Sequence, residues 1–472
     1  MKLLFTQDAL VNAGAERSHL EILSRFSSEV DVGFVYFYPK HELKEAYVRA
    51  GIRLFFLDIP ESYHFWLAVT RLVKLIRTEK PDLLVSSLWR ADIITRMASW
   101  ITGVPLVGTL VNDSYSPMAW KDKQGLKYRL VYWLDRLTAG IPIHWIANAH
   151  ALAESHVKTL GIKPERISVV YRGRPVIASP PVIASEARAK QSPLENENSM
   201  KDRFVPRDDE SPVIASEVRA KQSPLESENS VKDRFVLRDD ESPVIAREAR
   251  PKQSQKEETA SAAESTEDKA EFSDTSLPPQ RAGAVTRSLR NFISYGRLLE
   301  RKGFQDAIRA FSQVVSSYPD CTLTIFGEGP YRRELEKLIL DLGLQESVFL
   351  PGKVQNPVDL LNSDLREHRT SFHCFLFPSW YEGFSGALVE AMMAGIPIIA
   401  SDIPMNLEAI EADKSALVFP VGNVGALADQ LLFAIQNPER MEELGKEARK
   451  VGIQNFDIEV IAKEYEEVLR GI

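Results

Sequence analysis

The stretch from Phe375 to Ile403, FLFPSWYEGFSGALVEAMMAGIPIIASDI, constrains the fold of this chain more than any other. Phe375-Leu-Phe377 is a short apolar run, and Pro378 ends it because proline has no N–H to give a strand ladder. A glycine-rich loop, Glu382-Gly-Phe-Ser-Gly386, then enters an apolar segment from about Ser385 to Ala394 that reads as a helix. Gly395 stands where a helix C-cap belongs, and Pro397 lies just beyond it. Ile396–Ala400 is the next apolar run, so the sequence predicts strand, helix and strand in one βαβ unit.

Two carboxylates punctuate this unit. Glu382 falls in the loop and Glu390 in the helix, eight positions on. Eight helical residues rise roughly 12 Å, the reach of a sugar, a diphosphate and a ribose laid end to end. Between the acids lies a helix N-terminus, whose free N–H groups suit a phosphate. The competing reading is a buried α/β unit with two incidental glutamates. The glycine-rich entry argues against it, as does the rarity of unpaired buried glutamates. Glu382-x7-Glu390, set in PSWYEGFSGALVEAMMAGIPIIASD, resembles the donor-site motif of retaining GT-B glycosyltransferases of the group 1, or family 4, type.

The chain has 472 residues, 44% of them hydrophobic, enough for several sizeable cores. A formal net charge of −8 argues against a general nucleic-acid binder. The two cysteines, Cys321 and Cys374, suggest a reducing compartment and not a disulfide scaffold. No apolar run is long enough for a transmembrane helix. Asp8 interrupts the apolar start MKLLFTQDAL, which therefore reads as a first strand and not as a signal peptide.

The first 173 residues alternate apolar strand-like runs with helical patterns. Strands are predicted at Leu3–Phe5, Val32–Tyr36, Arg53–Leu57, Leu83–Ser86, Leu106–Leu110, His144–Ala147 and Ile167–Val170. That alternation means a parallel sheet with helices on both faces. A lone glycine after a first strand is usually only a tight turn. Gly14-Ala-Glu16-Arg17, however, is similar to the loop that group 1 transferases carry here, which implies close approach of the Gly14 backbone to phosphates or acceptor. Asn148-Ala-His150 also resembles a cleft-lining family segment. Two departures from the family pattern stand out. Val111-Asn112-Asp113 occupies a place where relatives carry a donor-contacting histidine, with Asn112 or Asp113 as the substitute. Ser86-Ser87-Leu-Trp89-Arg90 also lacks a familiar histidine, leaving Trp89 and Arg90 as acceptor-side candidates. The segment Ala119–Thr138 mixes four aromatic residues with Lys121, Lys123, Lys127, Arg129 and Arg136. It reads either as a basic amphipathic helix for an anionic bilayer or as a surface helix with its aromatics turned inward.

From about Pro175 the composition changes. PVIASEARAKQSPLENENSMKDRFVPRDDES begins at Pro181, a near-copy begins at Pro212, and a truncated third begins at Pro243, each 31 residues after the last. Each copy offers only a Val-Ile-Ala patch and a Phe-Val pair to bury, too little to offset the entropy of ordering it. The segment 174–290 is expected to be a disordered insertion between two lobes, with a docking tract as the alternative.

The second lobe, 291–455, opens with a strand at Phe292–Tyr295, then Gly296-Arg297-Leu-Leu-Glu-Arg301-Lys302-Gly303. By resemblance, Arg297 and Lys302 bind the donor diphosphate, and two cations there would stabilise the leaving group. Gly327-Glu-Gly329 after Leu323–Phe326 resembles the family's loop near the nucleotide, and Phe349-Leu-Pro-Gly352 its later strand and turn. Glu408, beyond Pro404, reads as facing solvent. Helices are predicted at Gly422–Ala434 and Pro438–Val451, and 456–472 as a terminal helix returning to the first lobe.

The resemblance implies a GT-B fold of two Rossmann-like lobes. It implies a retaining transferase that takes a nucleoside-diphosphate sugar as donor and a lipid-linked or polysaccharide acceptor. Glu382, Arg297 and Lys302 would act catalytically. Glu390, Gly296, Gly327, Gly329, Gly383, Phe384, Ser385 and Gly386 would bind the donor, with Gly14, Asn112 and Asn148 on the acceptor or phosphate side. No cofactor or metal is expected, since no Asp-x-Asp occurs in the chain. The expected location is cytoplasmic, with a peripheral contact to the inner face of the membrane and no nucleic-acid partner. The alternatives are a non-catalytic nucleotide-sugar scaffold and a GT-B sugar-nucleotide epimerase.

Overall fold

A computed structural model describes residues 1–61, 64–121, 125–177, 290–361 and 372–472. The 31-residue repeat, most of the expected 174–290 insertion, and Lys123 lie outside the described residues.

Two parallel sheets organise the rest. The first takes β1 (Lys2–Gln7), β2 (Asp31–Tyr36), β3 (Arg53–Phe56), β4 (Leu83–Ser86), β5 (Leu106–Leu110), β6 (His144–Ala147) and β7 (Ile167–Val169), in the order β3-β2-β1-β4-β5-β6-β7. The second takes β8 (Asn291–Tyr295), β9 (Thr322–Phe326), β10 (Val348–Gly352), β11 (Cys374–Phe377), β12 (Ile398–Ser401) and β13 (Leu417–Phe419), in the order β10-β9-β8-β11-β12-β13. The central strands β5, β11 and β12 are buried throughout, which is why they read as unbroken apolar runs rather than alternating ones. Each sheet reverses its strand order once, between β1 and β4 and between β8 and β11. Crevices outside the carboxyl ends of strands at such reversals are where open α/β sheets take ligands.

The strand, helix and strand of the opening stretch are present, with two adjustments. Ser385 is the extended N-cap of the Gly386–Ala394 helix rather than its first residue, and Gly395 closes the helix at φ +68°. The ladder of β12 starts at Ile398, after Pro397, since that residue can only accept; its carbonyl takes the Phe375 N–H. The helix after Pro438 runs on to Phe456. Asp457 then breaks it and caps the Ile458–Arg470 helix by accepting from Glu459 N at 3.1 Å. That final helix buries Ile458, Ile461, Tyr465 and Leu469 in one cluster with Leu3, Phe5 and Ile22 of the first lobe. The basic aromatic segment forms two helices, Pro117–Lys121 and Leu126–Thr138, separated before Gly125, whose φ of +108° no helix permits.

Candidate functional site

The second sheet's reversal brings the expected acid and base together. The loop after β8 turns through Gly303, at φ +66°, and a Cβ there would run into the Pro378 carbonyl. That close approach sets Lys302 beside the loop after β11. Lys302 Nζ pairs with Glu382 Oε1 at 2.5 Å, and Ser379 Oγ donates to the same oxygen at 2.8 Å. Burial alone would raise the Glu382 carboxyl. The charge and hydrogen bond of Lys302, the Ser379 hydroxyl and the charge of Arg301 together carry it below its ordinary value.

Glu390, on the Gly386–Ala394 helix, is buried and engaged on both oxygens. Arg174 Nε donates to Oε1 at 2.7 Å and the Tyr295 hydroxyl to Oε2 at 2.8 Å. Burial and the neighbouring carboxylate push the Tyr295 hydroxyl far above its usual range. Arg174 comes from the end of the first lobe and lies over the first turn of this helix, where a Cβ on Gly386 would collide with its guanidinium. Its backbone is fixed by the joint of the last two helices: Arg174 N donates to Phe456 O at 2.9 Å, and Ile458 N to Arg174 O at 3.1 Å.

The first lobe presents a second helix start. The Gly14–Leu23 helix, like the Gly386–Ala394 helix, has no side-chain cap. Arg172 stands between them. Its Nη1 donates to Phe384 O at 3.1 Å and lies 3.6 Å from where a Gly14 Cβ would be. With the Asn148 carboxamide in the orientation that satisfies both of its polar atoms, its oxygen accepts from Arg172 Nε at 3.0 Å and Nη2 at 3.2 Å. Burial, and then the charge of Arg174, lower Arg172 to about 10. Beneath it His19, Thr109, Asn148 and Tyr465 help line a cavity of about 30 Å³. Gly383 is required where it stands, because a Cβ would meet the Val111 carbonyl.

The remaining expected residues divide. Gly296 and Gly327 touch at the ends of β8 and β9, and Gly329 packs on the Leu298 carbonyl. Arg297 is exposed and pairs with neither glutamate. The Phe384 ring is buried against Tyr171 and Phe456, at 4.9 and 5.2 Å, so only its backbone is left to the site. Asn112 is exposed beside Gly383, whereas Asp113 is buried and accepts from Ser155 Oγ at 2.7 Å. Glu408 does not simply face solvent: its carboxylate accepts from His150 N and Ala151 N at 2.7 and 2.6 Å and from the Tyr171 hydroxyl at 3.1 Å. The start of the His150–Leu160 helix has no side-chain cap of its own, which draws the acid there. Sequence reasoning missed Arg172, Arg174 and Tyr295. Arg172 falls at the end of the first lobe with no motif to mark it, and Arg174 falls inside the segment 174–290 that was expected to be an insertion. Among the described residues no group of His, Cys, Asp and Glu is placed to hold a metal ion.

Two family models match separate parts of the chain. Residues 286–451 match glycosyl transferases group 1, and residues 13–176 match glycosyltransferase family 4. An uncharacterized glycosyltransferase, MJ1059 of Methanocaldococcus jannaschii, is 37% identical over 111 residues, 24% of this chain and 25% of that one. The putative colanic acid biosynthesis glycosyltransferase WcaL of Escherichia coli K12 is 33% identical over 191 residues, 38% of this chain and 45% of that one. The chain thus spans less than half the length of either relative. In fold it is similar to Anabaena Alr3699/HepE, crystallised with UDP-glucose, at a TM-score of 0.66 and 16% identity, both chains being covered completely. The fold is the two-lobed GT-B arrangement expected from the sequence.

Proposed function

We propose that this chain is a retaining glycosyltransferase, which moves a sugar from a nucleoside-diphosphate sugar to a lipid-linked or polysaccharide acceptor. One observation carries the reading. Two uncapped helix N-termini, one from each lobe, meet across Arg172, with the Lys302–Glu382 pair at the reversal of the second sheet. Partial positive charge from both helices, with the fixed cations beside them, suits a diphosphate that gains charge as it leaves.

In this reading residues 1–173 hold the acceptor and residues 291–455 the donor. Lys302, joined by Arg297 when donor is bound, neutralises the departing diphosphate. Glu382 and the N–H groups from Gly383 to Gly386 hold the sugar hydroxyls. Gly296, Gly327 and Gly329 let the loops after β8 and β9 pack closely beside the nucleotide. Glu390 takes the ribose hydroxyls through the lone pairs that Arg174 and Tyr295 leave free. Gly14, Asn112 and Asn148 face the acceptor. Retention rests on the resemblance of Glu382-x7-Glu390, and a lipid-carried acceptor would place the enzyme on the inner face of the cytoplasmic membrane.

The solved relative that binds UDP-glucose makes UDP-sugars the first donors to try. A thermal-shift screen against UDP, GDP and ADP sugars, followed by transfer assays with the donor that binds, tests the proposal. A native-state ligand raises the melting point by mass action. A chain that responds to no nucleotide sugar is not this enzyme, and one that binds a sugar nucleotide but never turns it over is the scaffold instead.

A further inference from the structure

The Leu126–Thr138 helix is packed inside out. Its only buried residue is an acid, Asp135, held by Arg96 Nη1 at 2.6 Å and by the Tyr115 hydroxyl at 2.6 Å. Its large apolar side chains face outward: Leu126 is 73% exposed, Leu130 60%, Trp133 56% and Leu137 77%. The spacing of four, three and four puts them on a single stripe. Trp100 and Ile101, at the end of the Trp89–Thr102 helix packed against it, are exposed as well. Contiguous apolar surface of this kind marks a place where something docks.

The charges say what. The exposed ionic residues of the helix are Lys127, Arg129 and Arg136, all basic, in a chain of net charge −8. Arg136 donates to Tyr132 Oη and Thr159 O, while Arg129 has no partner among the described residues. Beside the stripe an open recess of about 530 Å³ is lined by Tyr115, Trp120, Arg129, Tyr132, Trp133 and Thr159. Aromatic rings with a polar edge beside a guanidinium suit the boundary between acyl chains and phosphate headgroups.

We propose that this helix docks the enzyme on anionic phospholipid, its leucine stripe entering the acyl region and the aromatic recess taking a lipid phosphate beside Arg129. The inference extends the lipid-linked acceptor of the proposed function to a defined surface. The test uses the full chain with vesicles of phosphatidylcholine alone or with phosphatidylglycerol, scored by co-sedimentation at low and high salt. Binding at least tenfold stronger to the anionic vesicles is expected. Leu130→Glu should reduce binding tenfold or more, and Arg129→Glu should remove most of the anionic preference. Thermal response of these variants to a nucleotide sugar should match that of the wild type. Absence of vesicle binding, or binding untouched by both changes, overturns the proposal and leaves the donor reading standing. Light scattering that shows a dimer broken by Leu130→Glu, without vesicle binding, assigns the face to a second copy and overturns it too. Loss of the nucleotide-sugar response in the wild type strikes the donor reading and not this one.

Discussion

Arg174 Nε lies 2.7 Å from Glu390 Oε1, so a residue that follows the last strand of the first lobe grips the helix that carries the second lobe's inner acid. Both side chains are buried, and Tyr295 completes the carboxylate's partners. Arg174→Ala strands a buried charge and should cost about 3–5 kcal/mol of stability. Combining it with Glu390→Gln should recover part of that loss, since the two effects share one interaction. Urea denaturation of the three variants measures both numbers. A single variant as stable as wild type would contradict the pairing.

Lys302 and Glu382 form the second cross-loop pair. If Lys302 stabilises the leaving diphosphate, its interaction strengthens in the transition state and its loss falls on turnover. Lys302→Ala should lower kcat by about 10²–10³-fold, the usual loss for one such donor of positive charge. KM for the donor should change far less. A change confined to KM would make Lys302 an anchor for the ground state only.

Local signals were legible in the sequence. Pro378, Gly395 and Pro397 punctuate the strand, helix and strand around Glu382 and Glu390 through backbone chemistry that needs no tertiary context. β13 was missed because Leu417–Phe419 is too short to show a period. The Lys302–Glu382 contact spans 80 positions; resemblance to a family marked each residue separately, and only the fold joins them. Arg174 and Glu390 are 216 positions apart, and the repeat falls between them in the chain, so no spacing rule could join them. Glu408 was misread for a related reason: a carboxylate beyond a proline looks like surface until an uncapped helix from the other lobe arrives in front of it.

That arrangement makes Glu408 an interlobe cap. It supplies two acceptors to a helix start whose own N-cap, Ala149, can offer none. Glu408→Ala should cost about 0.5–2 kcal/mol, the range for losing a helix cap. Glu408→Gln keeps one acceptor, loses the charge and should fall between the two. The midpoint of urea unfolding orders the three proteins. An unchanged midpoint in the alanine variant would remove Glu408 from the contact between lobes.

His19 supplies a pH dependence of defined sign. It is buried, its Nδ1 lies 2.8 Å from Gln7 Oε1, and burial followed by the charge of Arg172 lowers it to about 3 from 6.5. The unfolded chain therefore takes up a proton below pH 6.5 that the folded chain refuses until about pH 3. Stability from this residue is whole above 6.5 and is lost as pH falls, by about 1.4 kcal/mol per unit. His19→Gln binds no proton in either state. Relative to that variant, the wild type should lose about 2 kcal/mol between pH 7.5 and pH 5. Denaturation curves of both proteins at the two pH values give the difference directly, with the other titrating groups cancelling. Parallel pH profiles would show that His19 takes its proton in the folded state, and that the cavity under Arg172 is wetter and less positive than its lining implies.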